Sequence, residues 1–248
     1  MRDVHPLVRL AHRFTLDWLD LADESVPPQI MVPGYRVHIG DVDLDGLAAY
    51  APATAGQLRQ FPGLQLSVHA LVTDGEHLAL HFTEHGASVR HDLRAAAWTG
   101  VALFAWDGER LTENWTQEDY AARRRQLADG TPDVIASPVA APWTTAPVPG
   151  DEGAVDVVRA WLPSAVPGAG GTVWDDGLSD AAVLEPTGAE ERLVFAAGDQ
   201  VAFAATLIGA AGGTDARLGI AGLVRVVDGA VAGGVVVSDR AGLARSQR

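Results

Sequence analysis

Residues 61–86, FPGLQLSVHALVTDGEHLALHFTEHG, and residues 98–127, WTGVALFAWDGERLTENWTQEDYAARRRQL, decide the fold class of this chain. In both stretches apolar and polar residues alternate along strand-like runs, and an Asp-Gly turn divides each stretch in two. This pattern is typical of β-hairpins. The sequence therefore predicts four antiparallel strands, joined largely by tight turns, between Leu64 and Glu118.

The segments before these hairpins predict helices. An apolar residue recurs every three or four positions from Leu7 to Leu21, which predicts an amphipathic helix over about 4–22. A second helix is expected from about Leu44 to Gln60, after the short strand-like run YRVHIGDVD. Helices followed by an antiparallel meander indicate an α+β fold, in which a curved sheet closes over the helices.

The second half of the chain repeats this pattern in a shorter form. RLVFAAGDQVAFAATLIG (192–209) matches the first hairpin, and GIAGLVRVVDG (219–229) matches WTGVALFAWDG. The sequence between the halves holds five of the fourteen prolines and has no clear periodicity. We therefore predict two tandem domains, 1–129 and 153–248, separated by a Pro-rich linker, 130–152. The second is expected to be degenerate, because its helical part is compressed into residues 164–180.

Charge and composition limit the classes of partner. The formal net charge of -14 argues against a nucleic acid or an anionic membrane, which bind clustered Lys and Arg. The dense basic run Arg123–Arg125 is expected to complement a helix dipole. There is no cysteine, and no run approaches the ~20 apolar residues of a membrane span. Without an apolar stretch of signal-peptide length near Met1, we expect a cytoplasmic protein.

Four features resemble the SnoaL-like polyketide cyclase branch of the nuclear transport factor 2-like superfamily. They are FPGL at the helix-to-sheet junction, the DG hairpin, a tryptophan-bearing last strand and a closing helix that ends in RRRQL. The resemblance covers about residues 4–127 well and 153–248 weakly. It implies two cone-shaped α+β domains that form a pseudo-dimer through their sheets, with the apolar ligand pocket in the first domain.

The resemblance also implies a function. A cofactor-independent enzyme of specialised metabolism would cyclise, isomerise or dehydrate a hydrophobic polyketide-type or terpenoid-type intermediate in the first domain. It would need neither cofactor nor metal, and would be a monomer with an internal pseudo-dimer or a homodimer. Because similar folds also serve as non-catalytic modules, the alternative is a small-molecule-binding or scaffold protein.

The acid/base aspartate of the family's cyclases lies on the last strand. Counted from the DG turn, its position falls on Thr116, its supporting neighbour falls on Val101, and the equivalent position in the second copy is Val236. A threonine hydroxyl has no pKa suited to general base catalysis near neutral pH, although it can orient a carbonyl.

Strand alternation places other polar side chains on the same pocket face. Asn114 and Glu118 share a face with Thr116, and Glu84 shares one with Leu80 and Phe82. A carboxyl group at the rim of an apolar pocket has a raised pKa and can act as an acid or a base. The alternative for Glu84 is a solvated strand end.

His38 is the second titrating candidate, because its position approximates the base of ketosteroid isomerase, a similar fold. Histidine titrates near neutrality, although a structural role is the alternative. We predict His38 and Glu84 as catalytic groups, with Asn114 and Thr116 orienting a carbonyl. The predicted substrate-binding residues are Leu80, Phe82, Val101, Leu103, Trp98, Phe14, Trp18 and Tyr35.

Two further predictions concern the other face of the strands. Trp115 is expected at the interface between the two sheets, because it points away from Thr116. His81 and His85 share the face opposite Glu84, and two such ligands without a third make a poor zinc site.

Overall fold

The computed structural model describes residues 4–175 and 184–247, which form two β-sheets with helices at their ends and faces. The helices are α1 (Pro6–His12), continued by a π-helical segment (Arg13–Asp20), α2 (Pro27–Ile30), α3 (Leu47–Gln60), α4 (Tyr120–Asp129), α5 (Glu152–Trp161) and α6 (Arg240–Ser246). The strands of the first sheet are β1 (Met31–Ile39), β2 (Val42–Asp45), β3 (Gln65–Thr73), β4 (His77–Ser88), β5 (Arg94–Trp106) and β6 (Leu111–Glu118). Those of the second are β7 (Thr172–Trp174), β8 (Glu185–Ala197), β9 (Gln200–Ala211), β10 (Thr214–Val227) and β11 (Ala230–Ser238).

The first sheet has the order β2-β1-β6-β5-β4-β3. The four predicted strands are β3 to β6, and they pair antiparallel in sequence order. The expectation of a wholly antiparallel sheet is wrong, because β1 runs parallel to β6. The helices α1 and α3 flank β1 and pack with the sheet around one apolar core.

The second sheet repeats this order as β7-β11-β10-β9-β8, and β7 runs parallel to β11 as β1 does to β6. Pairing register defines equivalent residues. Ala102 pairs with Thr116 in the first sheet, and Gly222 pairs with Val236 in the second. Within the described ranges the second half has no counterpart of β2 or α3. Residues 176–180 of the predicted compressed segment, 164–180, lie outside the described residues.

The outer faces of the two sheets pack against each other. Val72, Val101 and Leu103 from the first sheet share an apolar cluster with residues of the second, among them Phe195 and Leu223. Trp115 packs against the same cluster, which confirms its predicted position. Each half also has its own core, so the predicted α+β pseudo-dimer accounts for the architecture; the exact boundaries at 129 and 152 stay predictions.

A buried ion pair joins the halves beside this cluster. Arg240, at the start of α6, contacts Asp119 at 2.5 Å and Asp175 at 3.4 Å. Asp119 caps α4 through the backbone N–H of Ala122, and its side chain is fully buried. The same guanidinium therefore pairs with the N-cap residue of α4 in the first half and with Asp175, which directly follows β7 in the second half.

Within residues 4–175 and 184–247, none of the helices combines the length and the apolar character needed to cross a membrane.

Candidate functional site

A cavity lies in the first half, between the inner face of the sheet and the helical layer. Its volume is about 70 Å³. Strands β4, β5 and β6 form its floor and α3 forms one wall. The lining residues are Phe14, Leu19, Val37, Ile39, Tyr50, Thr54, Gln57, Leu66, Leu80, Phe82, Glu84, Ala102, Phe104, Asn114, Thr116, Glu118 and Tyr120.

Two carboxyl groups, Glu84 on β4 and Glu118 on β6, enter this cavity and are both buried. They hydrogen-bond to one another, Gln57 Nε2 donates to Glu84 Oε2 at 2.7 Å, and Trp98 Nε1 donates to Glu118 Oε2 at 2.7 Å. Strand register explains the meeting: Glu84 pairs with Trp98 on β5, and Glu118 pairs with Gly100 two residues further along the same strand.

The surroundings affect the pKa values of the two carboxyl groups differently. Burial, followed by the charge of Glu118, raises the pKa of Glu84 well above its ordinary value. Burial also raises the pKa of Glu118, but the Trp98 N–H and the Arg123 guanidinium lower it in opposition. Two carboxyl groups in contact cannot both ionise easily in an apolar site. The hydrogen bond between them therefore favours a shared proton held mainly by Glu84, with Glu118 the more acidic of the two groups.

Arg123 supplies the nearby positive charge. Its guanidinium lies 4.2 Å from the ring centroid of Tyr120 and 5.0 Å from that of Trp98, the residues that flank Glu118. The expectation that this arginine complements a helix dipole is wrong, because α4 continues to Asp129 and Arg123 lies within its first half. Stacking on aromatic rings instead holds the cation beside the carboxyl pair.

Asn114 and Thr116 line the cavity, but the Thr116 hydroxyl hydrogen and one of the two Asn114 amide hydrogens are already engaged. Thr116 Oγ1 donates to Asn114 Oδ1 at 2.6 Å, and Asn114 Nδ2 donates to the carbonyl of Leu103 at 3.0 Å. The threonine hydroxyl therefore offers an acceptor, and not a donor, to a ligand while this chain of bonds is intact.

The structure places His38 outside the cavity, which corrects its prediction as a catalytic group. Val37 and Ile39 line the cavity, so alternation along β1 turns His38 to the opposite face. There its ring nitrogens contact Asp43 at 2.7 Å and Glu113 at 2.9 Å, and the ring stacks on Trp115.

Among the predicted substrate-binding residues, Leu80, Phe82 and Phe14 line the cavity. Val101 and Leu103 do not, because Thr116 pairs with Ala102 and the two neighbouring side chains face the second sheet. Trp98, Trp18 and Tyr35 are also corrected: all three are buried in the packing around the cavity and do not line it.

Glu118 lines the cavity and was not among the predicted site residues, although alternation places it on the same face as Thr116. The family's aspartate position drew attention to Thr116, two residues earlier on the same face. A carboxyl group on the alternating face of β6 was the signal that could have identified Glu118.

The equivalent positions of the second half carry no such pair. By pairing register, Glu84 corresponds to Leu207 and Glu118 to Ser238. Leu207 and Leu218 belong to the apolar core of that half, together with Phe203. The carboxyl pair is therefore a property of the first half.

Comparison with known proteins agrees with the division into halves. Residues 9–127 match the model of the SnoaL-like polyketide cyclase family. No curated protein matches the chain in sequence.

Solved structures resemble about half of the chain. A candidate SnoaL-like polyketide cyclase from Jannaschia sp. CCS1 is 17% identical with a TM-score of 0.47, and the match covers 50% of this chain and 93% of that protein. A candidate polyketide cyclase from Acidithiobacillus ferrooxidans is 19% identical with a TM-score of 0.44, covering 49% and 94%. TsrD from Streptomyces laurentii is 20% identical with a TM-score of 0.45, covering 49% and 94%.

Proposed function

Because residues 9–127 belong to the SnoaL-like polyketide cyclase family, we propose that the chain is a cofactor-independent acid–base enzyme. Its substrate class is a carbonyl-bearing polyketide-type or terpenoid-type intermediate, and its site is the Glu84–Glu118 cavity. The reaction class is cyclisation, isomerisation or dehydration, all of which begin with removal of a proton next to a carbonyl or loss of a hydroxyl.

The observation that supports this proposal most directly is the buried carboxyl pair. Glu118 is held as a carboxylate by Trp98 and Arg123, and Glu84 carries the shared proton. Pairs of carboxyl groups whose surroundings push their pKa values apart commonly divide the roles of acid and base. A pair without a catalytic task would leave two buried ionisable groups whose desolvation costs stability.

In the proposed reaction each group has its own role. Glu118 takes the proton from the carbon next to the carbonyl, and the electron pair of that C–H bond moves into the forming enol. Glu84 delivers its proton to the carbonyl oxygen, and the pair ends with its proton on Glu118. The Thr116 oxygen can accept a hydrogen bond from a substrate hydroxyl.

The volume of the cavity sets a condition on this function. About 70 Å³ holds roughly two water molecules, so a ring-forming intermediate enters only when a wall moves. Helix α3 is the wall suited to move, because it contains Pro52 and buries only Ala55 and Leu58 of its own residues. Its outward displacement would uncover Glu84 by removing Gln57.

The closed state of the cavity also favours the second candidate, a non-catalytic binding or scaffold protein. In that case the carboxyl pair would only select a ligand that carries a hydrogen-bonding group. The two candidates differ in whether ionisation of Glu118 matters for turnover or only for affinity.

Proton exchange tests the proposal without knowledge of the natural substrate. The protein is incubated with 1-tetralone in D₂O, and loss of the proton signal next to the carbonyl is followed by NMR. We expect acceleration over buffer, and a fall of about 10²-fold or more in Glu118→Gln, the usual contribution of a positioned base.

His38→Ala is the matched control, because His38 lies near the same strands but outside the cavity. It should retain the exchange rate of the parent protein. If Glu84→Gln and Glu118→Gln both fold and keep full exchange, the proposed chemistry is wrong. If tetralone binds but its proton exchanges no faster than in buffer, the binding role is supported instead.

A further inference from the structure

A second cavity lies on the opposite face of the first sheet, between the two sheets, and we call it the inter-sheet cavity. Its volume is about 540 Å³, within the range of roughly 300–1,000 Å³ usual for small-molecule sites. It shares no lining residue with the Glu84–Glu118 cavity. The lining residues are His69, Ala70, His81, Thr83, Ala97, Thr99, Asp133, Val134, Ala136, Val173, Gln200, Leu223, Val224, Arg225, Gly234 and Val235.

A β-bulge in β3 leaves His69 and Ala70 on the same face of the sheet, where both line this cavity. Val68 pairs with Phe82 and Ala70 pairs with His81, which leaves His69 as an extra residue on its strand. Such bulges turn a side chain that regular pleating would place elsewhere, and they are frequent near functional sites. The imidazole rings of His69 and His81 lie with their centroids 4.9 Å apart.

Each histidine is fixed by a threonine hydroxyl. His69 Nε2 contacts Thr83 Oγ1 at 2.8 Å, and His81 Nε2 contacts Thr99 Oγ1 at 3.2 Å. Burial lowers the pKa of His81 to about 4, so its imidazole is neutral at pH 7. These four side chains offer oriented hydrogen-bonding groups in the cavity.

Two charged side chains, Asp133 and Arg225, line the cavity, and they differ in whether they are already paired. Asp133 is matched by Arg125 at 2.5 Å and by Gln126 at 2.9 Å. Arg225 forms no ion pair with any carboxylate of the described residues. Arg225 is exposed at the cavity, and the planar donors of its guanidinium group fit a carboxylate.

The remaining surface of the cavity is apolar and open on one side. Leu223 is buried in the wall, whereas Val134 is 96% exposed and Val173 is 51% exposed at the rim. Exposed apolar side chains beside a cavity favour a ligand with an apolar body.

The second half keeps the bulge, at Arg192, and the equivalent of Thr83, at Thr206, but not the histidines. By register, His69 corresponds to Arg192, His81 to Ala204 and Thr99 to Gly219. The arrangement therefore does not follow from the duplicated architecture, which supplies the strands but not the histidines.

From these observations we propose that the inter-sheet cavity binds a small apolar monocarboxylic acid. The carboxylate pairs with Arg225, the hydrocarbon body packs on Leu223, Val173 and Val134, and the histidine–threonine pairs bind a polar group on that body. The site is independent of the carboxyl-pair chemistry proposed above, because its residues lie on the other face of β4 and β5.

Isothermal titration calorimetry at pH 7 with 2-naphthoate tests this proposal, with 2-naphthylmethanol as the uncharged probe of equal shape. We expect saturable binding of the acid, and binding about tenfold weaker both for the alcohol and for Arg225→Ala. Val173→Trp, which fills the exposed rim, should abolish binding. Arg90→Ala removes an exposed arginine elsewhere on the first half and should leave the affinity unchanged.

Glu118→Gln separates this site from the other cavity and should bind 2-naphthoate as the parent protein does. Absence of saturable binding, equal binding of acid and alcohol, or an unchanged affinity in Arg225→Ala would each overturn the proposal. If Glu118→Gln loses binding and Val173→Trp retains it, the ligand binds in the Glu84–Glu118 cavity, and the proposal is overturned as well.

Discussion

The side chains of Thr83 and Glu84, neighbours in the chain, enter two different cavities on opposite faces of the first sheet. Thr83 contacts His69 in the inter-sheet cavity, and Glu84 joins Glu118 in the other. The strand β4 thus contributes to two separate cavities. A hydrogen bond links residues of the two, because Thr99 Oγ1, in the inter-sheet cavity, donates to the backbone carbonyl of Phe82, whose side chain lines the other cavity. Variants of either residue can report on one site while the other serves as an internal control.

A bell-shaped pH dependence is expected for proton exchange. Activity needs Glu118 ionised and Glu84 protonated, so it is lost at low pH when Glu118 gains a proton and at high pH when Glu84 loses one. Glu84→Gln should lose the alkaline decline, because glutamine does not titrate. A profile of exchange rate against pH for both proteins checks this, and an unchanged alkaline limb in Glu84→Gln would assign that limb to another group.

The free energy of unfolding should respond to pH through the same residue. The folded-state pKa of Glu84 lies above its ordinary 4.5, so above that pH the folded protein holds a proton that the unfolded chain releases. Stability contributed by this group therefore falls as pH rises, by at most about 1.4 kcal/mol per pH unit.

Glu84→Gln should remove that decline, so its stability relative to the parent protein increases from pH 5 to pH 8. Urea unfolding at three pH values measures it. Glu24→Gln changes an exposed carboxyl group and should follow the parent protein; a parallel pH dependence in Glu84→Gln would contradict the assignment.

Gly100→Ala should destabilise the first half. A Cβ at Gly100 would lie 2.4 Å from the ring of Phe82, so the ring, which lines the cavity, would have to shift. Overpacking of this kind costs about 1–3 kcal/mol. Gly34→Ala is the control, because no atom lies within 4 Å of its added Cβ, and thermal unfolding compares the two. Equal melting temperatures would show that Phe82 moves freely.

Loss of the buried cation between the halves should cost more than loss of an exposed one. Arg240→Met leaves Asp119 and Asp175 buried without their partner, which typically costs about 3–5 kcal/mol. Arg245→Met removes an exposed pair with Asp41 that also joins the halves, and should cost less than about 1 kcal/mol. Urea unfolding of both variants gives the comparison, and similar losses would mean that Asp119 is solvated after the substitution.

Alternation and turn residues predicted most of the fold. The DG turns and the period of two located β3 to β6, and the repeat of the pattern predicted a second sheet of the same order. The parallel pairing of β1 with β6 was missed, because the direction of a strand that joins the sheet after a helix is a tertiary property. No local pattern around Met31–Ile39 records it.

The candidate site was predicted in part, and the errors have one physical origin. Glu84, Asn114 and Thr116 were found because alternation gives the face of a side chain correctly within one strand. Val101 was placed on the wrong face because the pairing partner of Thr116 is Ala102, and an offset of one residue reverses the face. The bulge in β3, which puts Ala70 on the same face as His69, likewise leaves no mark in the hydrophobic pattern.

The covalent link between the halves affects which substitutions the protein can accept. In a dimer of identical chains, each substitution at the sheet-to-sheet contact occurs twice, and both copies must tolerate it. Here Leu207 and Ser238 stand where the first half has Glu84 and Glu118, so the cost of two buried acids falls on one half only. The second half bears no such cost, and its interior at these positions can be packed with apolar side chains such as Leu207.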